Sequence, residues 1–149
     1  MLKSKKLNQL TQIAKIRELE KTLAEQELRD AKHSEADCDD VRMKAVEAVT
    51  TAQKIWEDNV LDRTIICEHL KYYSDDLVAN IEKSTQATDA YEDAVKVSEN
   101  KLSAFQVCQI ITEKMDEMQR NMRRSIQRDK DERAVNAFEE RFSYDWVQK

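Results

Sequence analysis

The chain is predicted to be all-α, an antiparallel two-helix coiled-coil hairpin with a long overhanging second helix. Three observations predict this. Across 149 residues there is no glycine and no proline, where average usage would supply about ten and seven. Those residues end helices, permit φ > 0 turns and punctuate sheets, so a chain without them has little to build tight turns with. Charged residues make up 37% and apolar residues 40%, a balance that suits long helices with one exposed face. Finally, apolar positions recur at helical spacing through two long stretches with one short interruption between them.

The first helix is placed at about residues 2–58. Leu7, Leu10, Ile13, Ile16, Leu19 and Leu23 keep steps of mostly three, which gives one slowly precessing apolar face. Ala31, Cys38, Ala45, Ala48, Ala52 and Ile55 continue at steps of three, four or seven. The rhythm fades at Asp58 and Asn59, two poor helix formers. A bend is placed at about 59–62, with Asp62 as the N-cap of the second helix, its carboxylate accepting from free N–H groups.

The second helix is placed at about 63–146. Leu77, Ile81, Ser84, Thr88, Tyr91, Val95, Ser98, Leu102 and Phe105 alternate steps of four and three, and Met115, Met118, Met122 and Ile126 carry the pattern on. A 3.5-residue period sustained this long is a coiled-coil seam. A short bend forces the helices antiparallel, with facing residue numbers summing to about 120–124 and the second helix running on alone as part of a rod of roughly 125 Å. Ala, Ser and Thr in the middle of the seam bury little apolar area. Two readings follow: a deformable rod that tolerates twisting or partner exchange, or a modest coiled coil that is stable enough.

Charge is polarised along this layout. Residues 1–17 carry five basic side chains and no acid, and residues 119–128 carry four arginines and no acid. By contrast, 18–40 hold three basic and nine acidic residues, and 61–100 hold four and nine. Folding brings the two basic stretches together at the open end, where like charges oppose the fold. Lys3, Lys5, Lys6, Arg120, Arg123, Arg124 and Arg128 are therefore candidates to contact an acidic partner surface. The alternative is peripheral binding to phospholipid headgroups, with Leu2, Leu7 and Leu10 lying on the membrane beside the lysines. Basic residues at the start also occur in transit peptides, but here the apolar rhythm continues into the acidic helix that follows.

Phe138, Phe142 and Trp146 recur every fourth residue on a segment that the first helix is too short to cover. An uncovered aromatic stripe marks a partner site, since aromatics dominate binding hot spots. Bending back, or packing in a homodimer, is the other reading.

Several function classes are excluded on this evidence. With no glycine there is no phosphate loop and no nucleophile elbow, and a helical rod gives no pocket for a catalytic constellation. No catalytic residue, metal ligand or cofactor is assigned. Cys38, Cys67 and Cys108 are odd in number and widely spaced, so they are neither a disulfide framework nor a zinc site. Cys38 and Cys108 are expected on the seam, and His33 and His69 at the surface or at an interface. A net charge of −5 argues against nucleic acid. No apolar run is long enough to span a bilayer.

The layout resembles the FliJ/YscO family, the small stalk proteins of flagellar and virulence type III secretion systems. Two places carry the likeness in sequence. One is Asp62-Arg63-Thr64-Ile65-Ile66-Cys67-Glu68-His69-Leu70, similar to the segment that opens the family's long helix. The other is the tail, with Arg123-Arg124, Asp131-Glu132 and then Asn136-Ala137-Phe138-Glu139-Glu140-Arg141, similar to the charged endings of flagellar members. The virulence branch suits the chain somewhat better. The resemblance implies a fold like the coiled coil of the rotary ATP synthase gamma subunit. It also implies a monomer in the cytoplasm, peripheral to the inner-membrane export apparatus. The partners it implies are the export ATPase hexamer, the cytoplasmic domain of the export-gate protein and secretion chaperones. The competing class is a generic tethering coiled coil.

Overall fold

The computed structural model describes residues 2–62 and 66–148. Two helices, α1 (Leu2–Leu61) and α2 (Cys67–Gln148), pack against each other as an antiparallel hairpin, with no strand among the described residues. α1 runs three residues past the expected end at 58, through the Asp58-Asn59 pair. The Asn59 side chain is accommodated by donating from Nδ2 to the Ile55 carbonyl at 2.7 Å. The Asp62 N–H donates to the Asn59 carbonyl at 3.2 Å and closes this helix. α2 is described from Cys67, where the Ile66 carbonyl accepts bonds from the N–H groups of His69 and Leu70; what the Asp62 carboxylate would cap lies outside the described residues. The start expected near 63 lies outside the described residues.

The packed residues group into two compact units. The first comprises Met1–Ala24 and Phe105–Lys149, the second Glu25–Ala104. In the first, Lys3 Nζ donates to Ser125 Oγ at 2.8 Å and Gln119 Nε2 donates to Thr11 Oγ1 at 3.2 Å. In the second, Lys101 Nζ meets Glu27 Oε2 at 3.2 Å, and the Arg42 guanidinium lies 4.6 Å over the Tyr91 ring. The pairs 3/125, 11/119 and 27/101 sum to 128–130. The expected register of 120–124 is thus about eight positions short, because the helical part of α1 does not stop at Asp58.

The seam itself differs from expectation in its second row. Buried and half-buried residues of α1 follow strict alternating steps of three and four from Leu7 through Leu10, Ala14, Arg17, Lys21 and Ala24 to Trp56 and Asn59. In α2 the same alternation runs from Leu70 through Leu77, Asn80, Ser84, Ala87, Tyr91, Ala94, Ser98, Lys101 and Phe105 to Ile126 and Asp129. Leu77, Ser84, Tyr91, Ser98 and Phe105 are seam residues as expected, and Thr88 and Val95 are half-buried beside them. Ile81, Leu102 and Met118 are exposed, as are Ile13, Ile16, Leu19, Leu23, Ala48 and Ile55 of α1. Each of these exposed residues lies off the three–four alternation, which turns it out of the seam. Ala24, Ala52 and Ala87 are the buried apolar residues among those described, with Ser98 and Thr112 the buried polar ones. Small side chains at these positions present little apolar surface, while Leu7, Leu10, Leu77, Phe105 and Ile126 make the larger seam contacts. The pairing therefore buries little apolar area per turn.

Single-helix stability comes from local charge. Arg17–Glu20, Arg29–Glu25, Lys32–Glu35, Arg42–Asp39 and Lys44–Asp40 pair at helical spacing, each such pair contributing about 0.2–0.5 kcal/mol. Arg42 is held protonated above its usual range, chiefly by its hydrogen bond to Asp39. Cys38 and Cys108 are half-buried on the seam, and His33 and His69 are exposed, all as expected.

Candidate functional site: a basic end and an exposed aromatic tail

The candidate interaction residues all lie in the first unit. Its register sets Lys3 beside Ser125 and Asp129, so the start of α1 runs along the 119–129 stretch of α2. The two basic stretches do meet. Lys5, Lys6, Arg120, Arg123, Arg124 and Arg128 are exposed, and among the described residues none of the six forms an ion pair. Lys3 differs from them. Its ammonium sits 2.7 Å from Asp129 Oδ2, across the helix pair. That hydrogen bond, with the nearby charges of Lys3, Arg133 and Arg128, holds the Asp129 carboxyl below the usual carboxylate range. Asp129 is the residue the sequence reading missed. It follows directly after the acid-free run 119–128, and it relieves part of the repulsion that the two basic stretches create. Its signal was its place on the α2 seam, three residues after Ile126.

Leu7 and Leu10 are turned into the seam and only Leu2 of the three leucines is exposed. No described helix is long and apolar enough to cross a membrane.

Beyond Asp129 and Lys130, every described residue of α2 is exposed, from 131 to 148. With the later register, α1 covers α2 about eight residues further than expected, yet the tail stripe remains outside that cover. Phe138, Phe142 and Trp146 are 70%, 63% and 74% exposed. Phe142 and Trp146 line a shallow apolar groove with Ser143 and Val147. Val135, three residues before Phe138 and exposed on the same side, lengthens the ridge. On one continuous helix these side chains form a ridge that water contacts along its whole length. Such a ridge supplies contact area to a groove and has no chemistry of its own. Among the described residues no group of three His, Cys, Asp or Glu side chains is arranged to hold a metal ion. No family model, curated protein or solved structure matches the chain.

Proposed function

We propose that this chain is a non-enzymatic coiled-coil stalk of a bacterial type III secretion export apparatus. In this reading it links the hexameric export ATPase to the export gate and escorts chaperones. The observation that carries the proposal is the tail: an α-helical extension of the hairpin whose aromatic ridge at Phe138, Phe142 and Trp146 has no intramolecular cover. A two-helix hairpin that presents such a ridge beside a basic end suits a part that touches two different partners. The resemblance of residues 62–70 and 123–141 to the stalk family supplies their identity. Burial of each aromatic in a partner groove would contribute roughly 1.5–3 kcal/mol before the cost of ordering.

The experiment is a capture assay with purified export ATPase and export-gate domain, run beside secretion complementation. Truncation after Asp131 should abolish one capture and secretion while leaving the hairpin's melting unchanged. A full-length chain that binds neither partner, with secretion intact in its absence, refutes the stalk. In that case the tethering coiled coil is the reading that remains.

A further inference from the structure

We propose that the aromatic tail is a helical ligand for a protein cleft with an apolar floor and a basic rim. The inference rests on the stalk reading for its binding partners, and adds the chemistry of the surface that one of them presents to the tail. Val135, Phe138, Phe142 and Trp146 are 54%, 70%, 63% and 74% exposed. They follow one another at steps of three and four, so they form a single ridge along three turns of α2. At about 1.5 Å per residue, the ridge from Val135 to Trp146 is about 17 Å long, which sets the length of the cleft.

Carboxylates flank the ridge on both sides. Residues 131–148 hold five acidic and two basic side chains, a net −3, two residues beyond the acid-free 119–128 stretch with its four arginines. On a helix turning about 100° per residue, Asp131, Glu132, Glu139 and Asp145 project within about 75° of the ridge's axis. Arg141 lies about 105° from that axis and Arg133 about 175°, on the far side. Val135 shares a shallow groove with Asp131 and Glu132. All four carboxylates are exposed, and among the described residues none is in an ion pair. Their charge stays beside the aromatics, so a cleft that takes the ridge meets it with Lys or Arg at the rim. Other occupants fit less well. On a bilayer these acids would lie against headgroup phosphates, where membrane-surface helices carry lysine and arginine instead. In a second copy packed ridge on ridge, acids would face acids. The basic end selects the opposite kind of surface, so the two regions take different contacts.

The test measures binding kinetics of the full chain on immobilised export ATPase and, separately, on the export-gate domain, with circular dichroism to check folding. On the partner that holds the tail, Phe138→Ala with Phe142→Ala should speed dissociation by about tenfold or more. The rim variant Glu132→Lys, Glu139→Lys, Asp145→Lys should slow association by about tenfold or more at low salt. Glu140→Lys, on the far side of the helix, should stay within about twofold of wild type. Capture that needs the aromatics but is unchanged or strengthened by the rim variant overturns the basic cleft and leaves the stalk reading standing. So does equal loss with Glu140→Lys, which would reduce the effect to net charge. Wild type that binds vesicles of phosphatidylcholine and phosphatidylglycerol through the same aromatics, or dimerises through them in sedimentation, also overturns it. Wild type that binds neither partner refutes the stalk reading, and the cleft with it.

Discussion

Replacing Ser98 by alanine should stabilise the hairpin. Ser98 is 1% exposed, and its Oγ has no hydrogen-bond partner. Thr88 and Thr112, also on or beside the seam, each donate to the carbonyl four residues earlier, at 2.9 and 2.8 Å. An unsatisfied buried hydroxyl costs about 1–3 kcal/mol, and alanine adds up to about 0.5 kcal/mol of helix propensity. Ser98→Ala should therefore raise stability by about 1–3 kcal/mol, which for a chain near 150 residues moves the melting midpoint up by roughly 3–10 °C. Thr112→Val, which removes a satisfied hydroxyl, should gain nothing comparable. Enlarging Ser98 to leucine should instead destabilise by about 1–3 kcal/mol through overpacking, because the register of Lys101 on Glu27 sets Ser98 against residues 28–31 at close approach. Thermal and urea melts followed by circular dichroism measure all three. An unchanged or lower midpoint for Ser98→Ala, or a higher one for Ser98→Leu, would show that Ser98 is not a close-packed seam position.

Three further outcomes are expected. Reversing Arg120, Arg123, Arg124 and Arg128 to Glu should weaken capture of an acidic partner while the melt stays cooperative, and wild-type capture should weaken with salt; salt-independent capture would refute the role of the basic end. Because the folded-state pKa of Asp129 is lowered, its contribution is complete above its ordinary value of 3.8 and is lost as pH falls through the folded value; amide exchange at residues 3–7 should therefore speed up below that pH, and Asp129→Asn should abolish the change. Arg42 lies over the Tyr91 ring, so Arg42→Lys should not replace it, lacking the planar guanidinium that stacks. A double-mutant cycle of Arg42→Met with Tyr91→Leu should give favourable coupling in urea midpoints, and additive midpoints would mean that the two do not meet in solution.

The helices were legible because their causes are local. The lack of glycine and proline, the Leu77 to Phe105 rhythm and the many i, i+4 ion pairs each act within a turn or two, and all favour the same state. The bend was less legible. Asp58 and Asn59 have low propensity, yet tertiary pairing and the Asn59 bond to the Ile55 carbonyl keep them helical. Propensity is a weak prior against such context. The Asp62 N–H donates to the Asn59 carbonyl and so closes the first helix, whatever its carboxylate does beyond it.

The tail and the basic end were legible for a different reason: their meaning depends on what does not cover them. An error of about eight positions in register moves the end of the cover from near 120 to near 129, and Phe138 is still beyond it. The seam has no such tolerance. Ile81 and Asn80 differ by one residue, and hydrophobicity alone selects Ile81, as it selects Leu102 over Lys101. The structure makes the opposite choice at these two positions, where the unbroken alternation from Leu77 to Phe105 runs through Asn80 and Lys101. Ile13, Ile16, Leu23, Val107 and Met118 thus lie exposed off the seam, while Leu7, Leu10, Leu77 and Ile126 lie on it. Enlarging the seam residues should work against this division, since helices pushed apart would draw those flank residues inward.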